Sequence, residues 1–204
     1  MLVTADDQAK IEAAIAAAEK RTSGEIVAVI ARSSASYLSI APLVAALVAL
    51  LVPWPLIYWT WWPVQDIFLL QLAVFVGVAA IIYWRPIRLA LVPNSIKRDR
   101  AHKRALEQFF AQNLYTTRGH TGVLIFLSEA ERYAEIVADQ NIYAKVPAGQ
   151  WQTLVNNLTA RIGDGQVADG LSEAIAACGE LLAQHFPPGS ANPDELPNHL
   201  IVIE

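Results

Sequence analysis

Two kinds of hydrophobic pattern alternate along this chain. The first is a pair of long uncharged runs. No Lys, Arg, Asp or Glu occurs from Ser33 to Gln65, and after the lone Asp66 none occurs from Ile67 to Trp84. A helix needs about 20 mainly apolar residues to cross a bilayer core of about 30 Å. Helices buried in a soluble core seldom run so far without a charge. The runs therefore predict a transmembrane hairpin with helices over about 38–62 and 67–84, joined by the tight turn Pro63-Val64-Gln65-Asp66. Pro53 and Pro55 should kink or break the first helix, because proline has no N–H to donate. Trp54, Tyr58, Trp59, Trp61 and Trp62 crowd one end of the pair, and Tyr83 and Trp84 mark the other. Amphipathic rings of this kind collect at membrane interfaces.

The second pattern is shorter and alternates with polar stretches. Thr4 followed by Asp6 and Asp7 reads as a helix start, and Ile11 and Ile15 give the helix an apolar side to about Lys20. Glu25–Ala31 and Gly122–Ser128 are nearly all apolar and rich in β-branched residues, the pattern of strands buried on both faces. Arg132–Asp139 alternates, which suits an antiparallel partner with one wetter face. Helices are predicted over Ser95–Leu114, Gln150–Ile162 and Val167–Phe186, the last stopped by Pro187 and Pro188. His199–Ile203 reads as a last strand. The order strand, helix, strand implies a parallel pair with a right-handed crossover. The result is an α/β domain with a mixed sheet, divided by the hairpin into 1–36 and 87–204, with 37–86 as the membrane insert. The hairpin leaves just after the first strand, so the carboxyl ends of the parallel strands should face the bilayer. Open α/β sheets place ligands at that edge.

Composition sharpens this picture in two places. The 204 residues are 54% hydrophobic and only 17% charged, against about 25% in soluble domains, and the excess lies in the two runs. A net charge of −4 excludes a general nucleic-acid binder. The distribution of bases matters more than their sum. Arg85, Arg88, Lys97, Arg98, Arg100, Lys103 and Arg104 follow the second helix closely, against the single acid Asp99, and Arg32 flanks the first helix. By the positive-inside rule, the bases, both termini and the soluble domain lie in the cytoplasm, which makes a multi-pass protein of the bacterial inner membrane. The same bases could bind anionic lipid headgroups. Cys178 is the single cysteine, among alanines in a helical stretch, and reads as a small buried residue rather than a nucleophile.

Catalytic motifs are sparse. There is no Walker loop, HExxH, GxSxG or CxxC. Gly163-Asp-Gly165-Gln-Val-Ala168 has the letters of a dinucleotide turn, but it follows a helix instead of a strand. The four histidines show no ligand spacing and read as surface or capping residues. What remains is a polar set around the strand ends. Glu25, Glu131 and Asp139 are candidate ligands for a divalent cation, calcium or magnesium, and Arg118, Glu129 and Arg132 are candidates for a polar or phosphate site. The plainer alternative is surface ion pairing, worth little.

Several stretches taken together resemble the TPM domain family, in its bacterial membrane-anchored branch. They are Thr22-Ser-Gly-Glu-Ile-Val, Thr117-Arg-Gly-His-Thr-Gly-Val-Leu-Ile-Phe-Leu-Ser, Ala130-Glu-Arg-Tyr-Ala-Glu-Ile-Val-Ala-Asp, His185-Phe-Pro and Asn192-Pro-Asp-Glu-Leu-Pro-Asn198. The resemblance implies a three-layer α/β/α sandwich. It also implies a protein that assists a membrane complex. Some relatives bind divalent cations and one has been assigned phosphatase activity, with Asp139 matching one acidic position here. The expected function is therefore a non-catalytic accessory or assembly factor that docks on another membrane protein or complex. It requires no cofactor and no nucleic acid. The alternative is a weak, metal-assisted phosphatase.

Topology gives the first test. Reporter fusions at either terminus are expected to read cytoplasm, and a reporter at Val64 the opposite face. Neutralising the seven bases from Arg85 to Arg104 should scramble the orientation. A periplasmic signal from the C-terminus would overturn the assignment.

Overall fold

The computed structural model describes residues 3–189 and 195–203, apart from the side chains of Arg85 and Ala148. Residues 192–194 of the proline-rich tail motif lie outside the described residues. The chain forms two compact units, one of residues 1–34 and 98–204 and the other of residues 35–97.

The first unit is built on a mixed four-stranded sheet of β1 (Glu25–Ala31), β2 (Gly122–Ser128), β3 (Tyr133–Ala138) and β4 (Leu200–Ile203), in the order β3-β2-β1-β4. β1 pairs in parallel with β2, from Glu25 opposite Gly122 to Ala31 opposite Ser128, and in parallel with β4. β3 returns antiparallel to β2, as its alternating pattern predicts. Every residue of β1 and β2 is buried, because helices cover both faces.

On one face α1 (Ala5–Glu19), α8 (Ala148–Gly163) and α9 (Val167–His185) cover the sheet. Ile11, Ile15, Leu158, Leu171 and Ile175 pack there against Ile26, Ile30, Ile125 and Ile136. On the other face the crossover helix α6 (Asn94–Ala111) supplies Ala105 and Phe109 against Val27, Val29, Leu124 and Phe126. This is the expected α/β/α sandwich. Sequence pattern missed the short helix α7 (Gln140–Lys145), which Asp139 caps. It placed the ends of α6 and α9 within a few residues. Phe110 is 58% exposed and sits edge-on to the buried Phe109.

Local chemistry fixes the element ends. Thr4 and Asp7 form a reciprocal capping box at the start of α1. Those bonds hold the Asp7 carboxyl below its ordinary range. Lys10 pairs with Asp169 across α1 and α9, and that bond pushes the Lys10 ammonium pKa up.

The second unit contains α2 (Ile40–Leu51), α3 (Pro53–Trp59), α4 (Val64–Tyr83) and α5 (Arg85–Leu91). The break between α2 and α3 falls at Val52, directly before Pro53, where the missing proline N–H interrupts the ladder. α2 packs on α4, with Ala41, Ala45 and Ala49 as its buried residues. Small residues one turn apart let two apolar helices approach closely. Ile40–Trp59 and Val64–Tyr83 are each long and apolar enough to cross a membrane, and only 17% and 11% of those stretches is buried. Trp59, Trp61, Phe68 and Leu72 all stand exposed. A core helix of a soluble protein would show the reverse.

Gly122, Gly170 and Gly179 mark where neighbouring elements approach too closely for a side chain. A Cβ at Gly122 would lie 2.3 Å from the Leu114 carbonyl oxygen, and one at Gly179 would lie 2.6 Å from Ala18 Cβ. Gly163 has open space around it. Gly122→Ala and Gly179→Ala are expected to destabilise by about 1–3 kcal/mol. Gly122→Ala should be the worse, since its obstacle is backbone. Gly163→Ala should be neutral or stabilising by up to about 1 kcal/mol. Urea unfolding followed by circular dichroism would rank the three.

Candidate functional site

The six strand-end candidates divide between the two ends of the sheet. Glu129, Glu131 and Arg132 lie at the carboxyl end, in the turn between β2 and β3. Glu25, Arg118 and Asp139 lie at the amino end, where β1 and β2 begin and β3 finishes. The proposed metal trio is therefore not one ligand set, because Glu131 is a full strand length from Glu25 and Asp139. Among the described residues, no group of three His, Cys, Asp or Glu side chains is placed to hold a metal ion.

At the carboxyl end the β2–β3 turn is tied to the chain leaving β1. The Glu129 N–H donates to the Ala31 carbonyl at 2.9 Å and the Ala130 N–H to the Arg32 carbonyl at 3.2 Å. The Glu131 carboxylate accepts from the Ser34 N–H at 3.1 Å, from the Ser33 hydroxyl at 3.2 Å, and from the Ser128 hydroxyl. Ser34 in turn donates its hydroxyl to Ser128 at 2.8 Å. Charge-assisted bonds of this kind are about twice as strong as neutral ones. Glu131 is thus a clasp between β1, β2 and β3. The carboxyl edge also opens into a cleft of about 400 Å³, where Glu129, Arg132 and Tyr133 meet the Gly163-Asp164-Gly165 turn between α8 and α9. Its walls at Leu127, Ile162 and Val167 are apolar. The letters GxGxxA serve that helix–helix turn, in which Gly165 takes a φ of +78°.

At the amino end each acid is likewise engaged. Glu25 is buried and accepts from the Glu195 N–H at 3.3 Å, while the Glu19 carboxylate takes the Ile26 N–H at 2.8 Å. Glu195 accepts from the Arg118 N–H at 3.0 Å, with the highly exposed Arg118 guanidinium 3.8 Å away. Asp139 takes the Gln140 N–H at 2.6 Å and lies 3.3 Å from His120 Nδ1.

The basic series divides too. Arg98, Arg100, Lys103 and Arg104 stand on α6, and Arg104 reaches Glu107 at 3.0 Å. Lys97 is half-buried and Arg88 is 9% exposed, so those two are less available at the surface than the rest.

Sequence reasoning missed Glu135. Its carboxylate accepts from the Tyr133 hydroxyl at 2.9 Å and lies 2.8 Å from His102 Nδ1. Burial first, and then the Glu135 charge, pushes the Tyr133 hydroxyl above the ordinary phenol range. The strand alternation that sets Tyr133, Glu135 and Val137 on one face was the available signal. Cys178 is wholly buried, and burial pushes its thiol up to about 12.

Fold and site together define an α/β/α domain whose first parallel connection carries a pair of candidate membrane spans. The chain carries a TPM domain: residues 86–181 match the family model of that name. No curated protein matches the sequence. Among solved structures, the chain is similar to the NMR structure of BA42 protein from the psychrophilic bacterium Bizionia argentinensis. The identity is 22%, the TM-score is 0.63, and the match covers 98% of this chain and 94% of that one. At this identity the likeness establishes the fold.

The clasp predicts a contrast between neighbours. Glu131→Ala strands a backbone N–H and two hydroxyls without their acceptor and should cost about 1.5–3 kcal/mol. Glu129→Ala should stay within about 0.5 kcal/mol. Cys178 should resist maleimide at neutral pH in the folded chain and react in denaturant, because only the thiolate is nucleophilic.

Proposed function

We propose that this protein is a non-catalytic accessory factor, anchored in the bacterial inner membrane by its hairpin, that docks its cytoplasmic TPM domain on a neighbouring membrane protein or complex. One observation carries the reading. The two apolar helices, mostly exposed in their own unit, are inserted in the connection between the paired central strands β1 and β2. An anchor placed there cannot be shed by trimming a terminus, so the domain works wherever the hairpin sits. The candidate acids at the strand ends are already used by the fold. Glu131 clasps the β2–β3 turn, Asp139 caps α7, and Glu25 holds the segment at Glu195.

The competing reading is a weak phosphatase assisted by calcium or magnesium. A cation at Asp139 would compete with the Gln140 N–H and His120 for its carboxylate oxygens. The accessory reading requires no cofactor. The bases on α6 would add contacts to anionic headgroups, at about 1 kcal/mol for each one near the surface.

The deciding experiment uses the full chain in detergent with p-nitrophenyl phosphate as substrate, with magnesium or calcium added and then chelated. No metal-dependent turnover is expected. Turnover that needs the metal and disappears in Asp139→Ala would overturn the accessory reading. In intact membranes, photocrosslinkers on the TPM domain should capture one dominant membrane protein.

A further inference from the structure

Arg88 stands apart from the other bases that follow the second candidate span. It lies on α5, within the unit of residues 35–97, and is 9% exposed. Its Nε is sealed from solvent and meets no acceptor, and no ion pair engages the guanidinium among the described residues. The two terminal nitrogens are not sealed. A guanidinium keeps its proton at any physiological pH, so burial cannot neutralise it. Buried charges are paired, and this one therefore marks an anion that the protein does not supply.

The charge map of the unit shows why it does not. From residue 35 to residue 97 the charged residues are Asp66, Arg85, Arg88 and Lys97. Asp66 stands in the first turn of α4, and the 20 residues of that helix put about 30 Å between its ends. After α4 the unit holds three bases and no acid.

Position points to the source of the anion. The Arg88 N–H donates to the Trp84 carbonyl at 3.1 Å, which sets Arg88 one helical turn beyond the end of the second candidate span. Tyr83 and Trp84 stand exposed there, rings of the kind that sit at the level of lipid headgroups. Leu91, a turn further on, is exposed as well, so apolar surface flanks the base before and after it in the chain.

We propose that Arg88 holds the phosphate of one phospholipid of the surrounding bilayer. Its terminal nitrogens donate to two phosphate oxygens, a planar match that guanidinium makes and ammonium does not, and the acyl chains lie along Trp84 and Leu91. Exposed bases attract anionic headgroups collectively and are screened by salt, whereas a sunken guanidinium takes one lipid and is screened little. The inference rests on the anchoring reading and gives the hairpin a bound lipid at its exit.

The test uses the full chain in a maltoside detergent, which carries no phosphate, with native mass spectrometry to count retained lipid. Phosphatidylglycerol should be retained at one per chain, about tenfold more tightly than diacylglycerol with the same acyl chains. Arg88→Gln should erase that preference, and Arg88→Lys should restore only part of it. Arg98→Gln with Lys103→Gln, which removes two exposed bases of α6, should leave it unchanged. Millimolar inorganic phosphate should not displace the lipid. Equal retention of the two lipids would overturn the proposal, and that comparison stands even if Arg88→Gln fails to fold. A preference that survives Arg88→Gln, or that disappears in the α6 variant, would overturn it by assigning the lipid to the exposed bases. Displacement by inorganic phosphate would overturn it by making the site one for free phosphate. If reporter fusions place the hairpin across the membrane while the two lipids bind alike, this inference falls alone and the anchoring reading stands.

Discussion

Two parallel strands cannot be joined by a tight turn, and the parallel pairing of β1 with β2 is the constraint from which the rest of the chain follows. The register from Glu25 opposite Gly122 to Ala31 opposite Ser128 obliges the chain to leave at the carboxyl edge and re-enter at the amino edge. α6 makes that return. Its 18 residues span about 27 Å at 1.5 Å each, enough for a seven-residue strand of about 23 Å. Everything else between the strands is surplus to the crossover, and the chain uses that surplus for the hairpin. Loop-closure entropy grows by only about 0.6 kcal/mol per doubling of length, so the insertion costs the sheet little.

The same constraint explains the clasp. A strand that ends at Ala31 and then runs into a long insert would fray at its last residues unless something fixed the exit. Glu131 does so from the opposite strand turn, by holding the Ser34 N–H and both neighbouring hydroxyls. At the entry, the Leu114 carbonyl presses against Gly122 so closely that no other residue fits. The central pair is therefore held at both ends, by a carboxylate clasp at the exit and close backbone packing at the entry, and Glu131, one of the acids that sequence marks as candidates, makes the clasp.

This division also sets what the sequence made legible. β1 and β2 were plain, since seven consecutive apolar residues have few other uses, and the hairpin was plain because its charge-free runs are so long. The antiparallel return of β3 followed from alternation. Glu25, Glu131 and Asp139 looked like one set because each sits beside a strand terminus, yet a terminus does not say which end of the sheet it occupies until strand direction is combined with register. Glu135 and Trp151 were hidden for a different reason. A carboxylate within a strand and a tryptophan at the start of a helix have no motif, and only the packing of α6 and α8 around β3 brings them to one groove.

The two edges of the sheet differ in a way the core does not require. β4 is only four residues long, and natural sheets commonly shorten an edge strand to deny a template to other chains. β3 has six residues and a continuous ladder to β2, so it is the better template of the two. It is also the edge flanked by helices on both sides, and with Ala134 8% and Ile136 6% exposed it is shielded from indiscriminate pairing. The one carboxylate on β3, Glu135, lies 2.8 Å from His102 on α6 and takes the Tyr133 hydroxyl, so a side-chain bridge ties the helix over the edge strand.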